Sequence, residues 1–246
     1  MAALLRRRFG ATVNLGVSGF GPLQELAALT EYLKPLRPPV VLWMFFEGND
    51  LTEDLPMEIH APLLQQYLAD EGLTQNLIGQ RAAMADSMRR YLDRDLIAAM
   101  NRVDSPYENL VRNLSLDRVR ETVGLGPVQI GYNLGSMDEE LGLFATVLHK
   151  ARDRVGGWGG KLYIVYLPES GRYMARFSES AVRRAIHDGV ASIAEREQVE
   201  MIDLAPVFAQ DPAPETLYAY PGAHYSVKGY KVAAEAIARV LEVHDN

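Results

Sequence analysis

The chain has 246 residues, 48% of them hydrophobic, and a net charge of −7 with acidic and basic side chains interspersed rather than blocked. That length and composition allow one substantial core, and the charge pattern offers no electrostatic footprint for nucleic acid or an anionic membrane surface. The absence of cysteine excludes disulfides, thiolate metal sites and a cysteine nucleophile; it fits either side of a membrane, so the compartment stays undetermined.

The start, MAALLRRRFG, places its arginines after a short apolar stub, the reverse of a secretory signal, and reads as the end of an amphipathic helix. Residues 11–15, ATVNL, form a β-favouring run. After GVSGFGP, Leu23, Leu26, Leu29 and Leu33 recur at helical spacing, with Pro22 suited to a first turn where its missing N–H costs nothing. KPLRPP ends that helix, and VVLWMFF, residues 40–46, reads as a fully buried strand. It is also the longest apolar run, far short of the roughly 20 residues of a membrane span. From residue 51 to about 123 the chain turns helical and loop-like, so residues 51–136 are expected to form a helical insertion in a single domain. The alternation then resumes with a helix near 137–155, the strand KLYIVYLP, the helix SESAVRRAIHDGVASIAERE and the short strand EMIDL. The last helix carries Val227, Tyr230, Ala234, Ile237 and Leu241 on one face. Strands separated by helices predict an α/β fold with a parallel sheet covered on both sides.

In such a sheet, ligands bind beyond the carboxyl ends of the strands. Ser18-Gly19, Gly48-Asn49-Asp50 and the segment YPGAHYSVKGY all fall at such ends, and right-handed crossovers bring them to one edge. Their residue types suit acyl transfer. A glycine N–H and a side-chain amide stabilise a developing oxyanion, roles that fit Gly19 and Asn49, and a histidine such as His224 moves the proton between nucleophile and leaving group.

These segments resemble three blocks of the SGNH or GDSL-type hydrolases, esterases and lipases with a three-layer α/β/α, flavodoxin-like fold. NLGVSGFGP is similar to the second block, FFEGND to the third and HYSVKGYKVAAEAI to the last. The resemblance implies that Gly19 and Asn49 are oxyanion donors and that His224 is the catalytic base. It covers residues 11–50 and 160–243. It further implies hydrolysis of carboxylic esters, carbohydrate O-acetyl esters among them, with no metal or organic cofactor. The first block is missing: GDS occurs nowhere, and the aspartate expected three residues before His224 is Pro221, with Gly222 two before it. The family's first strand lies between the two strands predicted here at 11–15 and 40–46. Its loss is expected to leave backbone groups and apolar side chains uncovered. The expectation is that Met1 lies inside a longer natural protein, with a lineage lacking the strand as the alternative.

Each residue also has a plainer reading. Asp50-Leu51-Thr52-Glu53 approximates a capping box, so Asp50 is expected to cap a helix while Asn49 points into the site; Asp50 and Ser18 are then candidate substrate-binding residues. Ser18 is also a surrogate nucleophile, with loop geometry as its plainer role. His60, His149, His187 and His244 read as structural or solvated. Asp203, ending EMIDL, either reaches toward the His224 loop or binds nearby amides. In the insertion, Met84, Met88 and Met100 with Tyr91, Leu92 and Leu96 are helix-packing residues or a lid over the acyl site. Two rival functions remain on the same residues: a ligand-binding protein that lost its nucleophile, and transfer of the acyl group to a sugar hydroxyl.

Overall fold

The structure, a computed structural model, describes residues 1–17, 19–96, 137–173, 181–220 and 224–244. The chain divides into two compact units, Met1–Gln75 with Asn133–Asn246, and Asn76–Tyr132.

The first unit is a mixed α/β structure built on a three-stranded parallel sheet. Helix α1 spans Ala2–Phe9, and α2 spans Pro22–Ala28 and runs through a π-helical turn, Leu29–Leu33, into α3, Lys34–Leu36. Strand β1, Val40–Phe46, is followed by a π-helical turn, Asp50–Asp54, and by α4, Leu55–Glu58, and α5, Pro62–Ala69. The sheet is completed by β2, Lys161–Leu167, and β3, Glu200–Asp203, in the order β1-β2-β3 with Val40 opposite Lys161 and Tyr163 opposite Glu200.

Burial explains the strand compositions. The five residues after Lys161 in β2 are all buried, as expected of a central strand covered on both faces. Val41, Trp43 and Phe45 of β1 and Ile164 and Tyr166 of β2 enter one apolar cluster with Leu23 and Leu26 of α2 and Phe144 and Leu148. The last two belong to the long helix Met137–Gly156. Tyr163, Val165 and Ile202 enter a second cluster with Phe208, Leu217, Ala233 and Ile237 on the opposite face. Ala233 and Ile237 lie on the last helix, Val227–His244, and Ile186 and Val190 of the helix Ala181–Arg196 join the first cluster. A coarse α/β architecture is therefore as expected.

Among the described residues, strand β1 is an edge of the sheet. Glu47 N bonds Leu167 O at 3.0 Å and Lys161 N bonds Pro39 O at 2.8 Å, so the odd-numbered residues aim their backbone groups at β2. Leu42 and Met44 aim theirs outward, where they meet no partner among the described residues. The strand expected at residues 11–15 is not formed: the segment is irregular, and Val13 and Val17 stand 60% and 55% exposed. With no ladder beside it among the described residues, the Thr12 carbonyl instead accepts from the Arg6 guanidinium (2.7 Å), and Asn14 Oδ1 accepts the Gly16 N–H (3.2 Å). A β-favouring composition does not make a strand without a hydrogen-bonding neighbour.

In the second unit, residues 76–96 are described, and they include helix α6, Arg81–Tyr91, continuing as a π-helical turn, Leu92–Leu96. Met84, Met88, Tyr91 and Leu92 are exposed along it. Met100 and the Leu96 side chain lie outside the described residues. No described helix is long and apolar enough to cross a membrane.

Candidate functional site

The exit of β1 runs directly into the Glu47-Gly48-Asn49-Asp50 turn. Glu47 is buried, yet every part of its carboxylate is used: it accepts from Tyr166 Oη at 2.8 Å, from Glu169 N at 3.0 Å and from the Arg172 guanidinium, whose Nε is 3.2 Å away. A buried carboxylate is tolerable on those terms. Asn49 has φ −144° and ψ −20°, and its carbonyl accepts from both Glu53 N (2.9 Å) and Asp54 N (3.0 Å), starting the π-helical turn. Its side-chain amide has no hydrogen-bond partner among the described residues, which leaves it able to donate to a ligand.

Asp50 does not cap forward. It is 4% exposed, and its Oδ2 turns back to accept Phe46 N at 2.7 Å. The turn and α4 both begin without a side-chain cap. The capping-box expectation fails because the π-helical turn takes its start from the Asn49 carbonyl, freeing Asp50 to close the last outward N–H of β1.

Gly19 lies in a turn closed by Phe20 N to Val17 O at 3.2 Å and has φ +80°, a conformation that suits glycine; a Cβ there would meet nothing, so the backbone and not packing asks for it. Ser18 lies outside the described residues. Two residues on, Gly21 packs so tightly that a Cβ would come within 2.5 Å of Asp54 Cβ. Helix α2 has no cap of its own, and Glu58 supplies one from 37 residues away, accepting from Gly21 N (2.7 Å), Leu23 N (2.8 Å) and Gln24 N (3.4 Å). Glu25 adds a further carboxyl beside Asp50, Asp54 and Glu58. Burial pushes Glu25 well above the usual carboxylate range, and repulsion from Asp50, Glu58 and Asp54 pushes it further. Burial likewise raises Asp50 well above its usual value against the pull of the Phe46 N–H, and raises Glu58 against its three backbone donors.

His224 lies in a short hairpin. Tyr218 and Tyr225 form an antiparallel bridge, and Ala219 N bonds the His224 carbonyl at 3.0 Å. Both tyrosine hydroxyls donate to Pro168 O, at 2.8 and 3.0 Å, which fastens the hairpin to the carboxyl end of β2. The next residue, Glu169, gives its N–H to Glu47. The Gly19, Asn49 and His224 segments are thus tied, bond by bond, to one sheet edge: Glu58, in the helix after the Asn49 turn, bonds the first, and Glu47 joins the second to the third through Glu169 N.

The His224 ring is exposed and meets no carboxylate among the described residues. Asp203 is taken elsewhere. Its Oδ1 accepts Ala205 N and its Oδ2 pairs with His187 Nε2, each at 2.8 Å, so of the two roles expected for Asp203 the structure shows amide binding together with an ion pair to a different histidine. The other His187 nitrogen is 3.3 Å from Asp188. Burial works against the imidazolium, but the bonds to Asp203 and Asp188 outweigh it and the His187 pKa is raised. A ring with a carboxylate at each nitrogen has no lone pair to offer a substrate, so the pairing fits a structural histidine.

Sequence reasoning missed Glu47, Arg172 and Glu58, and it read His187 as structural or solvated without its partner Asp203. An acid directly after an apolar strand, as in FFEGND, is a signal that would have found Glu47; the Glu58 and Asp203–His187 contacts leave no local trace. Among the described residues, no group of three or more His, Asp or Glu side chains is placed to hold a metal ion. No protein-family model, curated protein or solved structure matches the chain.

Proposed function

We propose that the first unit is an SGNH-like α/β/α hydrolase scaffold acting on carboxylic esters, with Gly19 N–H and the Asn49 amide as oxyanion donors and His224 as the base. The observation that carries this reading is the tethering of their three segments to one sheet edge through Glu58, Glu47 and the paired hydroxyls of Tyr218 and Tyr225. Preorganised donors at such an edge are the largest single contribution to acyl-transfer catalysis. The open side of β1 supports the same reading, because the family's serine-bearing strand runs beside this one. His224 works without an orienting carboxylate, since Asp203 serves His187.

Among the described residues none takes the place of the family's serine, so the expected activity is what an oxyanion hole and a binding site alone leave, about 10³-fold over water. The test is hydrolysis of an aryl acetate by the chain, its Asn49→Ala variant and its His224→Ala variant. Turnover above the buffer rate that falls to near that rate in Asn49→Ala supports the reading. Turnover indifferent to both substitutions removes it. The exposed, acid-free His224 favours one alternative, an ester-binding protein without catalysis; saturable binding that survives His224→Ala, with no turnover, would establish it. Acyl transfer to an added sugar would replace hydrolysis with transferase chemistry.

A further inference from the structure

We infer that Glu58 is a positioning residue for the loop that carries Gly19, holding it against the Asn49 turn as a cap delivered from a distant segment. Gly21 marks the junction. It is the residue before the first turn of α2, its φ of −102° needs no special backbone, and it has no side chain with which to cap. A serine or aspartate, the usual N-cap, has no room there, because a Cβ would meet Asp54 Cβ at 2.5 Å and Glu58 Oε2 at 2.9 Å. The helix therefore starts with unsatisfied N–H groups inside the protein, a costly arrangement unless another segment supplies an acceptor.

Glu58 supplies it twice over. Oε1 accepts from Gly21 and Gln24, and Oε2 from Leu23, a geometry that fixes both the direction of α2 and the height of Gly21 above the turn. Asp50, from the same turn, fastens Phe46 N. Two acids that both hold backbone N–H groups thus define the gap between the two proposed donors. Shifting either donor by an ångström is enough to cost a large part of oxyanion stabilisation.

Glu58 is also an unusual cap in that its charge faces other acids, Glu25, Asp50 and Asp54, each contributing to a crowded carboxyl cluster. Removing its charge relieves that crowding while uncapping α2. Local order and global stability should therefore separate in a Glu58 variant, which a residue serving only as packing does not do.

The inference rests on the ester-hydrolase reading for what the loop is for, and on the bonds to Gly21, Leu23 and Gln24 for how it is held. Amide hydrogen exchange and residual aryl acetate hydrolysis, measured on the wild type, Glu58→Gln and Glu58→Ala, test the two separately. In Glu58→Ala, exchange at Gly21 and Leu23 should rise about tenfold, the amides of Ile164 and Val165 in β2 should keep their protection, and kcat should fall with little change in KM. Glu58→Gln keeps one acceptor oxygen and should show a smaller change in both. Unchanged exchange at Gly21 and Leu23, or an equal rise in β2, overturns the positioning role. Faster exchange at the loop with Asn49-dependent turnover unchanged overturns its link to the donors. Faster exchange at the loop in a protein with no Asn49-dependent turnover supports the positioning role while the hydrolase reading fails.

Discussion

Glu47 and Asp50 sit three residues apart at the exit of β1, and both are buried, but their surroundings resolve the cost of burial in opposite ways. Glu47 meets a guanidinium, a tyrosine hydroxyl and a backbone N–H, so both of its oxygens have donors inside the protein. Asp50 meets one N–H and three further carboxyls, Glu25, Asp54 and Glu58, and burial holds its proton on well above the usual range. One acid is balanced by a cation, the other by a proton.

Breaking the Glu47 pair should produce the largest effect. Arg172→Ala leaves a buried carboxylate without its cation and is expected to cost about 3–5 kcal/mol of stability. Urea unfolding followed by tryptophan fluorescence measures it cleanly, because Trp43 and Trp158 both belong to the first unit. A loss no larger than that of a surface ion pair would mean that Glu47 is not held as described.

Next in size is Gly21→Ala, which forces a methyl group against Asp54 Cβ at 2.5 Å. Overpacking of that kind costs about 1–3 kcal/mol. The same unfolding measurement should show it, and an unaffected midpoint would mean that the acid cluster has slack enough to accommodate a side chain.

The contrast itself is sharpened by Glu25→Gln. The folded-state pKa of Glu25 is raised above its ordinary value of 4.5, so the folded state binds the proton more tightly than the unfolded state. Stability is then highest below that ordinary value and falls as pH climbs from it through the raised folded value, by about 1.4 kcal/mol per pH unit while a full proton separates the two states. Glutamine does not titrate. Unfolding free energies collected from pH 4 to 8 should fall less steeply in Glu25→Gln than in the wild type, with Asp50 accounting for the remaining slope; parallel curves would show that Glu25 does not carry the proton.

The smallest effect is expected at His187. Its raised pKa contributes stability that is complete below its unfolded value and is lost as pH rises through the folded one. The pair with Asp203 is partly exposed, so His187→Gln should cost under about 1 kcal/mol at pH 6 and less at pH 8. If instead it abolished ester turnover while leaving stability alone, His187 and not His224 would be the functional histidine.

Much of the framework was legible in the sequence. VVLWMFF, KLYIVYLP and EMIDL announce β1, β2 and β3 through apolar and β-branched content between helix-period segments, and the leucines of α2 and the face of the last helix follow from spacing alone. Residues 11–15 show the limit. They carry the same kind of composition as β3, but a strand exists only where another strand offers its hydrogen bonds, and among the described residues none lies beside them. The Gly19, Asn49 and His224 segments were legible as loops at the ends of strands, and their residue types suggested acyl chemistry.

What residue order alone determined was therefore local: which segments extend, which coil, and where a chemically able side chain sits on a turn. Tertiary structure decided the partners. Arg172 neutralises Glu47 across 125 positions, Glu58 caps α2 across 37, and Asp203 chooses His187 over His224, each because the chain path brings the groups within hydrogen-bonding distance. Periodicity reports the surface a segment must bury, whereas the balance of a buried charge depends on what the folded chain places against it.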